Sequence, residues 1–237
     1  MKNKNATLAI VLITSLFFLW GFALNLNPIL IPHLKKACRL TDVQSALIDS
    51  ASYVAYFIMA IPAGLVMKRF GYKGGIIFGL LLFALGAFLF YPAAELRNYA
   101  FFLGALFIIA CGLTFLETAA NPYITVLGDE EHGAQRLNFA QSFNGLAATL
   151  APLIGGTYIL SGKTLSATEE ASMSATQLDA YLNTEAQAVQ LPFIIIGLVV
   201  LLVAVLLWFT RLPEIEDNHE GKTEGSLLKE RNLMLGV

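Results

Sequence analysis

The segment Asn98–Leu127, NYAFFLGALFIIACGLTFLETAANPYITVL, carries one charged side chain, Glu117, in thirty residues. A helix needs about 20 apolar residues to cross the roughly 30 Å hydrocarbon core of a bilayer. The segment is therefore long enough to form one membrane span. It decides the fold class because the same pattern recurs along the chain.

The whole chain has the composition of a membrane protein. It is 57% apolar and 14% charged over 237 residues, where soluble proteins average about 45–50% and about 25%. The sequence predicts an all-α transmembrane bundle of six spans, the 3+3 inverted repeat found in one half of many transporters. The predicted spans are 6–34, 44–67, 74–94, 98–127, 136–162 and 189–210.

Several other classes of protein are excluded. The net charge of −2 offers no basic surface for nucleic acid. Two cysteines, Cys38 and Cys111, cannot build a disulfide framework. The first apolar run is too long for a signal peptide, and the His33-Leu34-Lys35 sequence that ends it is no small-residue cleavage site, so we expect it to be retained as a span.

The distribution of Lys and Arg predicts the orientation in a cell inner membrane. With the N-terminus in the cytoplasm, ten of these residues fall on the inner side and five on the outer side, as the positive-inside rule requires. The outer ones are Lys35, Lys36, Arg39, Arg97 and Lys163. We therefore expect a multi-pass protein with its N-terminus inside.

The chain divides into a bundle, a linker and the start of a further span. Residues 1–212 form the predicted bundle, and its outer loop 163–188 carries capping-box patterns that begin at Ser166 and Ser174, so we expect a short surface helix there. Residues 213–231 are a polar cytoplasmic linker, and 232–237 turn apolar again. These features predict the N-terminal half of a twelve-helix transporter, truncated at the seventh span, whose partners are the lipid bilayer and a missing C-terminal half.

Glu117 is the first candidate functional residue. A charged group near the membrane centre costs about 2.5–3.5 kcal/mol, so such groups usually have a function. Thr114 and Asn121 share its helical face, and Pro122 loosens the helix beyond it. A carboxyl group can take up and release a proton, which predicts a role in proton coupling. The alternative is a structural carboxyl group bonded to a neighbouring helix.

Three amides recur every third residue on the fifth span: Asn138, Gln141 and Asn144. Amides both donate and accept hydrogen bonds, which suits the hydroxyl groups of a neutral sugar. Amide stripes also join helices to one another. We expect Gln141 and Asn144 to contact substrate, and Asn138 to lie closer to the inner surface.

The first span adds Trp20, Asn25 and Asn27. The two asparagines are about 200° apart on a helix, so at most one can point squarely at a central cavity. Trp20 shares the face of Asn27 and could stack on a sugar ring or simply pack in the bundle.

The loop after the second span, GLVMKRFGYK from Gly64 to Lys73, resembles the cytoplasmic signature of the major facilitator superfamily. Gly64, Arg69, Gly71 and Lys73 match that gating motif, whereas Lys68 stands where an aspartate is usual. A basic loop that simply obeys the positive-inside rule is the alternative.

Five strings extend this resemblance, in register, over nearly the whole chain, to the fucose:proton symporter branch of that superfamily, which includes glucose/galactose transporters. They are Phe17-Phe-Leu-Trp-Gly-Phe22, Leu26-Asn-Pro-Ile-Leu-Ile-Pro-His33, Ile61-Pro-Ala-Gly64, Phe115-Leu-Glu-Thr-Ala-Ala-Asn-Pro-Tyr123 with Val126-Leu-Gly128, and Arg136-Leu-Asn-Phe-Ala-Gln-Ser-Phe-Asn144. The resemblance implies that Glu117 is the family's proton-coupling glutamate. It also implies that Gln141 and Asn144 are the family's sugar-contacting amides.

One departure from the family concerns coupling. Family members commonly have Leu-Asn-Asp where this chain has Leu26-Asn27-Pro28, so a sugar-binding aspartate is absent. Asp49 and Pro28 lie at nearly equal distances from the hairpin loop that joins their helices, which places Asp49 at about the depth of Pro28. Asp49 is therefore predicted to compensate. The alternative is a packing or interfacial carboxylate.

The predicted function is proton-coupled monosaccharide uptake by alternating access, with Asn27, Asn121 and Trp20 as further sugar contacts. The proton is the coupling ion, and no other cofactor and no metal is expected. The sequence has no phosphate-binding Gly-x-x-x-x-Gly-Lys motif, and its three histidines fall at span ends or in loops, which argues against an ATPase or an intramembrane enzyme. The alternatives are an inactive fragment, a channel, and a facilitator or symporter for another polar solute.

Overall fold

The computed structural model describes residues 2–159, 165, 167–210 and 212. Within these residues the secondary structure is helical, with no strand. The predicted linker 213–231, the predicted start of a seventh span at 232–237, and Ser166 of the first capping box lie outside the described residues.

Seven α-helices and one 3-10 turn follow one another along the described residues. They are α1 Lys2–Ala37, α2 Asp42–Glu95, α3 Tyr99–Val126, the 3-10 turn Glu130–His132, α4 Gly133–Tyr158, α5 Ala167–Ser172, α6 Ala175–Gln187 and α7 Gln190–Phe209. Thr41 begins α2 with a capping box that includes Gln44, and Asn98 accepts a hydrogen bond from the backbone of Phe101 to begin α3.

The predicted second and third spans both lie in α2. This helix has 54 residues, or about 80 Å at 1.5 Å per residue, which is too long for one crossing. Its helical geometry is interrupted at Gly71, where φ is +73° and ψ is +170°, a conformation that glycine adopts without a steric penalty. We call residues 42–70 the N-terminal arm of α2 and residues 72–95 the C-terminal arm.

Four segments of the described chain are long and apolar enough to cross a membrane: Thr7–Ala37, Asp42–Glu95, Tyr99–Val126 and Ala175–Phe209. α4 has 26 residues and thus sufficient length, but it is not in this group. Arg136 and the amide stripe lower its hydropathy. The predicted span at 136–162 therefore remains a prediction.

Small residues let the C-terminal arm of α2 pack closely against α3. The helical spacing of Gly75, Gly79 and Gly86 predicts such a face. A Cβ atom on Gly79 would lie 2.9 Å from the carbonyl oxygen of Gly112, and one on Gly86 would lie 2.8 Å from that of Ala105. The prediction is confirmed at these two positions, whereas Gly75 faces Met67 of its own helix.

The expected surface helix is present as α6, and Ser174 and Gln177 form its predicted capping box. Nε2–H of His33 on α1 donates to the carbonyl oxygen of Glu185 at 2.7 Å. At the end of α2, Arg97 pairs with Asp179 at 2.7 Å. These contacts fasten α6 to the C-terminal ends of α1 and α2.

Candidate substrate and proton site

The centre of the candidate site is Glu117, which is half-buried on α3. One turn further along the helix, the amide of Asn121 donates to the backbone carbonyl oxygen of Glu117 at 3.0 Å. Nε2 of Gln141 on α4 donates to Oδ1 of Asn121 at 3.3 Å. The structure thus connects three predicted site residues, Glu117 and Asn121 on α3 and Gln141 on α4.

Thr114 shares the face of Glu117, as predicted, but its hydroxyl group is directed at its own helix. It is buried and donates to the carbonyl oxygen of Ala110 at 2.8 Å. This bond uses the hydroxyl hydrogen, so Thr114 contributes packing to the site and has no free hydrogen-bond donor there.

Tyr56 on the N-terminal arm of α2 lies on a polar helical face that the sequence predicts to line a cavity, but it is not among the predicted site residues. Its side chain packs against Ala110 and Cys111 of α3, the helix that carries Glu117. Tyr56 Oη is a buried polar atom with no hydrogen-bond partner among the described residues. The available signal was its place on the polar helical face that also holds Asp49 and Ser52.

Asp49 lies beside the first helix. Nδ2 of Asn27 approaches Oδ1 of Asp49 at 3.5 Å, the upper limit of a hydrogen bond. Asn27 is buried, whereas Pro28 is exposed. Asn25 donates to the carbonyl oxygen of Gly21 at 2.7 Å. Of the two asparagines, Asn27 is therefore the one that meets a carboxylate.

The amide stripe of α4 contacts two different helices. Gln141 reaches α3 through Asn121, while Asn144 packs on α1 at Gly21, where an added Cβ atom would lie 2.9 Å from Asn144 Cγ. Asn144 forms no hydrogen bond with any other residue of the described chain, and Asn138 is exposed. Gln141 thus joins α4 to α3. The amide of Asn144 keeps its donors and acceptor free of hydrogen bonds to the described residues.

Trp20 is buried, with 2% of its surface exposed. Its ring lies 4.3 Å from that of Phe17, at an interplanar angle of 36°. In this conformation the ring packs in the core, and a sugar could stack on it only after the ring had turned outward.

A small cavity lies next to Asn27. It has a volume of about 20 Å³, and its polar lining residues are Asn27 and Ser52. The rest of its wall consists of apolar side chains from α1, α2, α3 and α7. Elsewhere among the described residues, no three His, Cys, Asp or Glu side chains come together in a way that could hold a metal ion.

Comparison with known proteins identifies the family. Residues 10–236 match the family model of the Major Facilitator Superfamily. The chain belongs to this superfamily.

Among the curated relatives of this superfamily chain are transporters of two kinds. It is 49% identical to the L-fucose-proton symporter of Escherichia coli, over 95% of this chain and 52% of that protein. It is 43% identical to a glucose/galactose transporter of Brucella abortus, over 100% of this chain and 55% of that protein. The chain spans about half the length of the curated relatives it matches, and they confirm the resemblance seen in the sequence.

Solved structures agree on the fold of this superfamily chain. A crystal structure of the Escherichia coli fucose:proton symporter matches it with a TM-score of 0.81 and 46% identity, over 98% of this chain and 56% of the other. A second structure of a symporter of the same name, solved in the outward conformation, also gives a TM-score of 0.81, at 50% identity over 94% of this chain and 54% of the other.

The segment that resembles the superfamily's signature, residues 64–73, lies where the two arms of α2 meet. Gly71 supplies the break, and the Arg69 guanidinium lies 5.3 Å from the ring centre of Phe70. Lys73 donates to the carbonyl oxygens of Trp208 and Thr210 at 2.8 and 2.9 Å. Because a cation at a helix C-terminus satisfies carbonyl groups that have no partner in the helix, Lys73 joins this loop to the end of α7.

Arg136 makes a similar contact between α4 and α3. Its Nε and Nη2 atoms donate to the carbonyl oxygens of Ile124 at 3.2 Å and Thr125 at 2.7 Å. These bonds fix the start of α4 relative to the end of α3, and so help to set the position of Gln141 beside Asn121.

Proposed function

We propose that this chain is the N-terminal half of a proton-coupled monosaccharide transporter of the L-fucose or glucose/galactose type, which works by alternating access. One observation carries the proposal: half-buried Glu117 lies one helical turn before Asn121, whose amide pairs with that of Gln141 and joins α3 to α4. A group that exchanges protons and groups that bind hydroxyls are thereby placed together.

The site residues take distinct roles in this proposal. Glu117 carries the coupling proton, and Asp49, held beside Asn27, serves in place of the aspartate that position 28 lacks. Gln141, Asn144, Asn27, Asn121 and Trp20 contact the sugar. Gly64, Arg69, Gly71 and Lys73 form the cytoplasmic gate, because they lie where two predicted spans meet and where Lys73 contacts the end of α7.

The proposed protein lies in the cell inner membrane with the N-terminus of this chain in the cytoplasm. The sugar cavity forms between this half and a C-terminal half of the same transporter. The proton is the only cofactor required, and nucleic acid is not a partner.

The experiment uses the complete transporter reconstituted in vesicles. An inward proton gradient should drive accumulation of labelled L-fucose, D-glucose or D-galactose above the outside concentration, and an uncoupler should abolish it. Uptake that only equilibrates the sugar would indicate a facilitator. Accumulation that follows a sodium gradient at constant pH would contradict proton coupling.

A further inference from the structure

An apolar groove lies between α3 and the two arms of α2. Its volume is about 410 Å³, and its lining is apolar apart from one thiol. The N-terminal arm contributes Met59, Pro62 and Val66, the C-terminal arm contributes Phe78 and Leu82, and α3 contributes four further side chains. This volume equals that of about fourteen water molecules at about 30 Å³ each, and a methylene group is close to a water molecule in size. The groove therefore has room for one acyl chain.

The groove lies on the side of α3 that is turned away from the candidate site. Phe115 and Ile108 line the groove, and at 3.6 residues per turn they lie about 160° and 180° around the helix from Glu117. In the proposed transporter the sugar cavity forms on the Glu117 side, between the two halves. The groove therefore opens on the opposite side, toward the bilayer.

A cationic side chain lies at the end of the groove next to the break in α2. Arg69 and Phe70 follow Val66 by one helical turn, so they continue the groove face of the N-terminal arm. The Arg69 guanidinium lies 5.3 Å from the ring centre of Phe70. Phe70 packs on Gly74, where an added Cβ atom would lie 2.9 Å from Phe70 Cβ, and Gly74 is one turn from Phe78 of the groove. These contacts place the guanidinium beside the groove.

Arg69 is exposed, and no ion pair within the described chain includes it. In the proposed orientation this end of the groove lies at the cytoplasmic surface, where the inner leaflet presents anionic head groups. A guanidinium binds phosphate oxygens with two hydrogen bonds at once. Lys68 is exposed too, but it lies about 200° around the helix from Val66 and so points away from the groove.

We propose that this groove binds an acyl chain of an anionic phospholipid of the inner leaflet, whose phosphate group pairs with Arg69. The apolar walls take up the chain because they offer no hydrogen bond to water. Since the groove contacts both arms of α2, a bound lipid stabilises the angle between them at Gly71. The site does not depend on which solute is carried or on the coupling ion.

The test measures lipid binding to the complete transporter in detergent by native mass spectrometry. Phosphatidylglycerol and phosphatidylcholine with identical acyl chains are compared. Because each basic side chain near a membrane surface attracts anionic lipid, the wild type should bind phosphatidylglycerol about fivefold more tightly. Arg69→Gln should remove this preference. Lys68→Gln is the matched control, because it removes the same charge on the other side of the same arm, and it should keep the preference.

A second pair of variants tests the groove itself. Val66→Trp places a large ring in the groove and should weaken the binding of both lipids severalfold. Leu65→Trp is its control, because Leu65 is the neighbouring residue, does not line the groove and has 63% of its surface exposed; it should bind both lipids like the wild type. Thermal unfolding in the same detergent should show all four variants to be folded.

Several outcomes would overturn the lipid site. One is equal binding of the two lipids by the wild type, and another is the same loss of preference in Arg69→Gln and Lys68→Gln. Unchanged lipid binding by Val66→Trp with a lower unfolding temperature would assign the groove to the C-terminal half, and a change from dimer to monomer would assign it to a second copy. None of these measurements uses sugar or a proton gradient, so they are independent of the test of the proposed function.

Discussion

Asn144→Ala separates substrate binding from helix packing more cleanly than any other change in the amide stripe. The Asn144 amide has no hydrogen-bond partner among the described residues, and it lies against Gly21 of α1. Its removal therefore breaks no hydrogen bond within the described chain. We expect the free energy of unfolding to fall by at most about 1 kcal/mol.

The expected effect on sugar binding is larger. A hydrogen bond from a buried amide to a sugar hydroxyl is worth about 1.4 kcal/mol, which corresponds to a tenfold increase in Kd. Gln141→Ala should raise Kd by a similar factor and should also lower stability by about 0.5–1.5 kcal/mol, because Gln141 donates to Asn121 at 3.3 Å. The two variants thus differ in stability and agree in affinity.

The assay is isothermal titration of the purified complete transporter with sugar, paired with thermal unfolding in the same detergent. Thr157→Ala serves as the control, because it is exposed near the end of the same helix and its hydroxyl donates only to Leu153 of that helix. If Asn144→Ala lost more than about 1.5 kcal/mol of stability and bound sugar with unchanged Kd, the amide would be a packing residue and our reasoning would be refuted.

Three further predictions follow from the geometry. Asp49→Asn should weaken sugar binding or proton coupling, and Pro28→Asp in the same protein should partly restore transport; normal uptake by Asp49→Asn would end the compensation hypothesis. Gly112→Ala should destabilise the bundle by about 1–3 kcal/mol in thermal unfolding, since the new Cβ atom would lie 2.5 Å from the carbonyl oxygen of Gly79. Gly104→Ala on the same helix is the control: its Cβ atom would meet nothing within 4 Å, so the change should be neutral or stabilising. Burial raises the pKa of the Cys38 thiol, so its reaction with a membrane-impermeant maleimide should be slow at pH 7 and faster as the pH rises. The reagent should reach Cys38 from the outside of cells. Labelling from the cytoplasmic side alone would reverse the proposed orientation.

The sequence predicts well those features that depend on segment length and local periodicity. The apolar runs locate the helices within a few residues, and the Ser174 pattern predicts the start of α6, because capping and bilayer length are local properties. The contact of Asp49 with Asn27 follows from the short hairpin between their helices, which fixes their relative depth.

Contacts that depend on helix rotation and on distant pairing could not be predicted in this way. The position of Tyr56 against Ala110 and Cys111 is set by how α2 turns relative to α3, and the Asn144 contact with Gly21 joins helices far apart in the chain. The continuation of α2 through the predicted loop was also missed. There a single residue, Gly71, breaks the helix, whereas the basic side chains around it suggested a longer loop.

The account's central claim is that Glu117 carries the coupling proton, and Glu117→Gln tests it most directly. In vesicles that contain the complete transporter, net accumulation of sugar against its gradient and exchange of labelled sugar are measured across a range of pH. Glutamine keeps the size and hydrogen-bonding ability of the side chain but cannot release a proton. We expect accumulation to be abolished while exchange persists at a rate that no longer depends on pH; pH-dependent accumulation at the wild-type level would contradict the claim.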